Sequence, residues 1–182
     1  MLLPKPLLLL DVDGVLNPLR VRPGQEPDGF RRHFMRPRAW IDQHPHLLES
    51  DVPDLPVWLH PDHGEELLDL PYDLVWATTW ENDANHFIGP AIGLPSLPVI
   101  TWTAPHAYPA DGTYFKTADI VRYAAGRPFA WVDDQLGQAD RDYVARHHPG
   151  PALLYDTDDA TGLDLDDFEA LAQWTDTISA ST

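Results

Sequence analysis

The sequence predicts an α/β fold, a Rossmann-like three-layer sandwich around a mostly parallel central sheet. Short apolar runs alternate along the chain with segments of helical periodicity, which is typical of a parallel sheet covered by helices. Most runs are nearly continuous in apolar residues, and this favours strands that are buried on both faces. The predicted strands are residues 7–11, 73–78, 98–102, 128–133 and 152–155.

Helical patterns occupy the intervals between these runs. Residues 62–70 carry a short apolar face, and a helix after the second strand is expected to break near residues 89–90. Residues 116–126 repeat apolar side chains at helical spacing and end in a glycine, a common helix stop. The last helix is predicted to begin after Asp164, which is a suitable N-cap.

Residues 17–60 do not follow this alternation. The segment is long, rich in proline and weakly periodic, and it stands between the first two predicted strands, where a crossover is normally short. We therefore predict one domain over residues 1–182, with a flap or small cap inserted at about 17–60.

Composition limits the classes of partner. The formal net charge is -17, which repels phosphate backbones and disfavours extended nucleic-acid binding. The chain has no cysteine, which excludes disulfides, thiolate catalysis and zinc sites with cysteine ligands. The apolar residues 2–10 are interrupted by two prolines and a lysine, and are too short for a membrane span. We expect no membrane association and a cytoplasmic location.

Acidic and hydroxyl side chains end three of the predicted strands. They are Asp11, Asp13, Thr78, Thr79, Asp133 and Asp134. Parallel strands bring their carboxyl ends to one edge of a sheet, where ligands bind. Several carboxylates at that edge repel one another, and a hard cation such as Mg²⁺ relieves the repulsion. The sequence therefore favours a magnesium site.

Lys116 is one of only two lysines in the chain. It precedes the helix that leads into the Asp133 strand, so we expect its ammonium at the rim of the acidic pocket. There it can hold a phosphoryl oxygen and offset the carboxylates. The alternative is a solvated helix residue.

Four motifs together resemble those of the haloacid dehalogenase-like (HAD) superfamily. "LLLLDVDGVLNP" (residues 7–18) resembles the first motif, an apolar strand followed by DxDG. "LVWATT" (74–79) resembles the second, Lys116 the third and "FAWVDDQ" (129–135) the fourth. The motifs occur in order over residues 7–135, and the short insert resembles a small-cap phosphatase of this superfamily.

The resemblance implies magnesium-dependent phosphoryl transfer. Asp11 would be the nucleophile that forms an aspartyl-phosphate, and Asp13 would protonate the leaving oxygen and then activate water. Thr78 would bind the transferring phosphoryl group, although Thr79 remains the alternative. Lys116 would steady that group and orient Asp11.

The resemblance also implies the metal ligands. Mg²⁺ would bind Asp11, the backbone carbonyl of Asp13, and Asp133. Asp134 would be a second ligand or a partner in the outer shell. In the structural alternative, the four acidic residues are ordinary turn residues.

A basic segment stands out in this acidic chain. Residues 18–40 hold six of the ten arginines and two acids, so the segment carries +4 and the remainder -21. The six are Arg20, Arg22, Arg31, Arg32, Arg36 and Arg38. We hypothesise that this flap captures an anionic substrate, with Arg31, Arg32, Thr79 and Trp80 as substrate contacts. Local pairing with the acidic body is the alternative.

The function predicted from these observations is a phosphatase acting on an unidentified, small phosphate monoester. A phosphotransferase and a non-catalytic binding module are the alternatives. A third alternative is a nucleic-acid end phosphatase, because "VWATTWENDAN" (75–85) resembles a small HAD subgroup associated with nucleic-acid end repair. The sequence leaves the substrate and the oligomeric state open.

Overall fold

Six strands form two separate sheets in the computed structural model, which describes residues 5–22 and 24–180. The strands are β1 (Leu7–Leu10), β2 (Arg31–Met35), β3 (Leu55–Leu59), β4 (Asp73–Trp76), β5 (Phe129–Asp133) and β6 (Ala152–Asp156). The central sheet has the order β4-β1-β5-β6, and every neighbouring pair in it is parallel. Strands β1 and β5 are buried along their whole length, as their continuous apolar character predicted.

Six α-helices accompany the strands in the described part of the chain. They are α1 (Arg38–Asp42), α2 (His63–Asp69), α3 (Gly89–Ile92), α4 (Thr117–Ala124), α5 (Gln138–His147) and α6 (Leu165–Ala180). A π-helical turn, Ala84–Ile88, runs directly into α3, so the helix changes type where a break was expected. Asp164 accepts hydrogen bonds from the backbone N–H groups of Asp166 and Asp167, which confirms it as the cap of α6.

Two apolar cores lie on opposite faces of the central sheet. Alternate residues of β1 divide between them, with Leu8 and Leu10 in one core and Leu7 and Leu9 in the other. Helices α2, α3 and α6 contribute to the first core, and α4 and α5 contribute to the second. The protein is therefore an α/β sandwich of three layers with a Rossmann-like, mostly parallel sheet, as predicted.

The predicted strand at residues 98–102 is wrong as a strand. It is reduced to a single parallel bridge between Val99 and Trp76. The N–H of Trp76 donates to the carbonyl of Pro98, and the N–H of Ile100 donates to the carbonyl of Trp76. Pro98 has no N–H to offer, and the chain beyond Ile100 turns into a largely exposed loop, so no ladder extends in either direction.

The insert contains an antiparallel hairpin of β2 and β3, with α1 between the two strands. One face of the hairpin packs into the core through Met35, Val57 and Leu59. The opposite face carries Arg32 and Phe34, which are exposed. The hairpin therefore packs against the core with one face and leaves the other face exposed. Among the described residues, no helix is long and apolar enough to cross a membrane.

Candidate functional site

The acidic and hydroxyl residues singled out in the sequence lie at the carboxyl ends of three adjacent strands. Asp11 and Asp13 follow β1, Asp133 ends β5, and Thr79 follows β4. Because β1 lies between β4 and β5 in the sheet, these strand ends share one edge. Ligands of open parallel sheets bind at this edge.

A buried lysine joins two of the carboxylates. Lys116 is fully buried, and its Nζ lies 2.5 Å from Oδ2 of Asp11 and 2.7 Å from Oδ2 of Asp133. Burial acts to lower the pKa of Lys116, but the charges of Asp11 and Asp133 raise it above its ordinary value. The rings of Tyr114 and Trp102 lie 5.2 and 5.7 Å from Nζ. Lys116 is therefore a charged component of the site and not a solvated helix residue.

Three carboxylates converge beside this lysine. Oxygen atoms of Asp11, Asp133 and Asp134 lie within 4.8 Å of one another. Burial, and then the charge of Asp11, raise the pKa of Asp133 to about 7 and that of Asp134 to about 6. The Oδ1 atom of Asp134 is buried and has no hydrogen-bond partner. Unpaired carboxylate oxygens in a buried cluster are donors that suit a hard divalent cation.

The side chain of Asp13 lies outside this cluster and has its own partners. Its Oδ1 accepts a hydrogen bond from Nδ2 of Asn17 at 2.8 Å, and its Oδ2 accepts one from Nε1 of Trp80 at 2.9 Å. Burial raises the pKa of Asp13, the Asn17 hydrogen bond opposes that rise, and the charge of Asp11 adds to it. The two aspartates of the first motif therefore have different environments, one salt-bridged and one hydrogen-bonded to neutral groups.

Asn17 was not singled out in the sequence. It stands four residues after Asp13 and also accepts a hydrogen bond from the backbone N–H of Trp58 in the insert. It thus links Asp13 to the hairpin. The only sequence signal for the bridge between Asp13 and the hairpin is the four-residue spacing of Asp13 and Asn17 in "DGVLN". In a loop, such a spacing does not predict a contact between two side chains.

Gly14 allows the first and fourth motifs to approach each other. Its φ is +75°, and a Cβ at this position would lie 2.4 Å from Cγ of Asp134. Any other residue would be strained and would also displace the Asp134 carboxylate. The glycine of DxDG therefore has a steric role in forming the cluster.

The two threonines after β4 occupy different environments. Thr78 is fully buried; its Oγ1 accepts from the N–H of Trp80 at 3.3 Å, and its carbonyl accepts from Nε1 of Trp102 at 3.0 Å. Thr79 is partly exposed and lines a cavity together with Asp11 and Asp13.

Two cavities meet at Asp13 and Thr79, which line both of them. The smaller, about 300 Å³, is lined by Asp11 and also by Tyr114, Phe115 and Gln135. The larger, about 450 Å³, lies between the insert and the core and has Trp80 in its wall. The site therefore has a carboxylate side and an insert side, with Asp13 between them.

The arginines of the insert lie away from these two cavities. Arg20 pairs with Asp158 and Asp159, and Arg36 pairs with Asp54 at 3.0 Å. Arg38 pairs with Asp42 at 2.7 Å and lies 3.6 Å from Glu49.

Arg31 and Arg32 are exposed on β2, and neither is among the residues that line the two cavities. For Arg20 the structure thus shows the pairing with the acidic body that was the alternative to substrate capture. Arg36 and Arg38 instead pair with acidic residues of the insert itself.

Comparison of the chain with protein-family models, with curated proteins and with solved structures gave no match. The fold and the site define the class: an α/β protein whose parallel strands end in a buried lysine–carboxylate cluster. A proposal about function therefore depends on the geometry of these residues.

Proposed function

We propose that the protein is a magnesium-dependent phosphatase that hydrolyses a phosphate monoester through an aspartyl-phosphate on Asp11, in the cytoplasm. The observation that carries the proposal is the contrast between Asp11 and Asp13. One carboxylate is fixed by a buried ammonium, and the other, two residues away, has a raised pKa and borders the insert cavity. Paired carboxylates in different environments suit the roles of nucleophile and general acid.

Asp11 is oriented for attack by contacts to both of its oxygens. Its Oδ1 accepts from the N–H of Val12 at 2.7 Å, and its Oδ2 is held by Lys116. Each oxygen retains a further lone pair, so the carboxylate can attack phosphorus without losing these contacts. Attack forms the bond between Asp11 and phosphorus and breaks the bond to the ester oxygen.

Asp13 supplies the proton that the departing ester oxygen needs. Burial favours its neutral form, and the hydrogen bonds from Asn17 and Trp80 fix the position of the carboxyl group. Once it has given up this proton, the carboxylate of Asp13 can accept one from a water molecule. That water attacks phosphorus, the bond to Asp11 breaks, and inorganic phosphate is released.

Asp11, Asp133 and Asp134 would hold Mg²⁺, together with the backbone carbonyl of Asp13 that the HAD resemblance implies. The unpaired Oδ1 of Asp134 supports this assignment. The bound ion would stabilise the negative charge that develops on the phosphoryl oxygens. Lys116 neutralises part of the charge of the cluster, so the site can bind both a cation and an anionic substrate.

The test is phosphate release from a generic aryl phosphate with and without Mg²⁺. We expect activity that requires Mg²⁺ and is lost in Asp11→Asn, while Asp119→Asn retains it. Asp119 is a matched control because it is a buried carboxylate paired with Arg122, outside the cluster. Activity that survives in Asp11→Asn would contradict the proposed nucleophile.

Beryllofluoride supplies a test that does not depend on the choice of ester, because it forms a phosphoryl-like adduct on an aspartate. With Mg²⁺ it should raise the melting temperature of the wild type and not that of Asp11→Asn. An unchanged melting temperature together with no phosphate release would reject the phosphoryl site. An added alcohol that becomes phosphorylated would identify a phosphotransferase.

A further inference from the structure

The cavity beneath the insert has walls from both parts of the protein. Its volume of about 450 Å³ lies in the range of small-molecule sites. The insert contributes Trp40 from α1 and Trp58 from β3, and the core contributes Trp80. Three tryptophans therefore face one cavity next to the proposed general acid.

The positions of Asp11 and Asp13 indicate on which side of the phosphoryl group the leaving group lies. Asp11 lines only the smaller cavity, whereas Asp13 lines both. In an in-line displacement, the leaving oxygen departs on the side of phosphorus opposite the nucleophile. That oxygen must also lie within hydrogen-bond reach of Asp13. A leaving group that satisfies both conditions extends past Asp13 into the cavity beneath the insert.

The walls of this cavity offer ring faces and few polar groups. The Nε1 of Trp40 already donates to the carbonyl of Pro53 at 2.7 Å, and the Nε1 of Trp80 already donates to Asp13. Asp13 is the only ionisable residue that lines the cavity in the described part of the chain. The other polar residues of the lining are Asn17, Gln43 and Thr79, and none of them is charged.

This lining discriminates between kinds of leaving group. A second phosphate or another anionic group would lose its hydration there without finding a partner of opposite charge. A flat, apolar ring would gain contact area and ring stacking against the indoles. Arg32 does not line the cavity. Its guanidinium lies 5.5 Å from the centroid of the Trp58 ring, so it contacts a residue of the cavity wall.

We propose that the substrate is an aryl phosphate monoester whose flat, uncharged leaving group binds between Trp40, Trp58 and Trp80 in the cavity beneath the insert. This inference rests on the proposed phosphatase function and adds the substrate class. The three tryptophans are then the residues that determine specificity, whereas Asp11 and Asp13 carry the reaction.

The test compares phenyl phosphate with 2-naphthyl phosphate, because the two phenols have similar acidity and differ by one ring. Burial of the second ring should give the wild type a kcat/KM about tenfold higher for the naphthyl ester. Trp40→Ala and Trp58→Ala should lose this preference.

Two further variants make the comparison specific. Trp174→Ala is the matched control, because Trp174 is a partly buried tryptophan that stacks on Tyr72 away from the cavity. It should keep the naphthyl preference. Ala39→Trp adds bulk from an exposed position on α1 that lines the cavity, and it leaves the core intact. It should abolish the preference even if the two alanine variants do not fold.

Binding of 2-naphthyl phosphate to Asp11→Asn, measured by calorimetry, separates this inference from the proposed function. Asp11→Asn should bind 2-naphthyl phosphate more tightly than phenyl phosphate, and this difference should disappear when Trp40→Ala, Trp58→Ala or Ala39→Trp is added. That result supports the ring site even if no ester is hydrolysed. Hydrolysis without naphthyl preference, or a preference unaffected by all three variants, overturns the inference and leaves the phosphatase standing. Absence of both hydrolysis and naphthyl binding overturns both.

Discussion

The Nζ of Lys116 lies 2.5 Å from Oδ2 of Asp11, at a position where the lysine has no exposure to solvent. The same ammonium contacts Asp133. The buried ammonium is stable because two carboxylates compensate its charge, and the buried carboxylates are stable because the ammonium compensates theirs. Stability of the fold and orientation of Asp11 therefore depend on the same side chain.

Replacement of this lysine should affect both properties. We expect Lys116→Met to lower the free energy of unfolding by about 3–5 kcal/mol, because two buried carboxylates lose their counter-charge. Urea denaturation measures this. Lys5→Met is the matched control, since Lys5 is the other lysine and is exposed. It should change stability by less than about 0.5 kcal/mol. Equal effects of the two substitutions would contradict the proposed role of Lys116.

The pH dependence of stability should report the desolvated carboxylate of Asp134. Burial and the charge of Asp11 raise its pKa from 3.8 to about 6, so the folded state binds this proton more tightly than the unfolded state. The contribution of Asp134 to the free energy of unfolding therefore falls as pH rises from 3.8 to about 6, and is constant above that range.

Asp134→Asn removes this titration. Relative to the variant, the wild type should lose stability with rising pH over that range, in urea denaturation with EDTA present. A difference between the two proteins that does not change with pH would show that the carboxyl of Asp134 is not desolvated as the structure indicates.

Trp80→Phe should move the alkaline limb of the kcat/KM profile for phosphate release to higher pH. The hydrogen bond from the indole to Asp13 stabilises the charged carboxylate, so its loss raises the pKa of Asp13. Asp13 must carry a proton to serve as general acid, and a higher pKa extends the pH range in which it does. Phenylalanine keeps a ring in the cavity wall.

Trp76→Phe is the control for this experiment, because the Nε1 of Trp76 donates to Asn85 and not to Asp13. Its alkaline limb should coincide with that of the wild type. A limb that is unmoved in Trp80→Phe, or moved equally in both variants, would argue against the hydrogen bond as a determinant of the Asp13 pKa.

Gly14→Ala should be more damaging than the same substitution at another left-handed glycine. Gly14 and Gly24 have φ values of +75° and +77°, so both alanine variants carry strain of about 1–2 kcal/mol. Only at Gly14 does the new Cβ collide with Asp134, since nothing lies within 4 Å at Gly24. We expect a larger loss of stability, and a loss of phosphatase activity, only in Gly14→Ala. Thermal unfolding and phosphate release check this, and indistinguishable variants would contradict it.

The positions and parallel direction of most strands could be predicted from the sequence. Continuous apolar runs that end in Asp11, Asp133 and Asp134 indicate buried parallel strands, and the geometry of such a sheet places their ends at one edge. The run at residues 98–102 has a similar composition but forms only a bridge. A strand at the margin of a sheet needs backbone N–H groups that can pair and a straight path beside its neighbour. Pro98 has no N–H group, and an apolar composition does not by itself keep the chain straight.

The sequence by itself predicted the four strands of the central sheet and the carboxylates at its edge, because these follow from apolar runs and from parallel strand geometry. It placed Lys116 at the rim of the pocket, whereas the structure buries this side chain between Asp11 and Asp133. Only the tertiary structure decided the hydrogen bond from Trp80 to Asp13 and the cavity formed by Trp40, Trp58 and Trp80. These contacts join the insert or the β4 loop to residues distant in the chain. Their formation depends on how the hairpin packs onto the core, which no local pattern specifies.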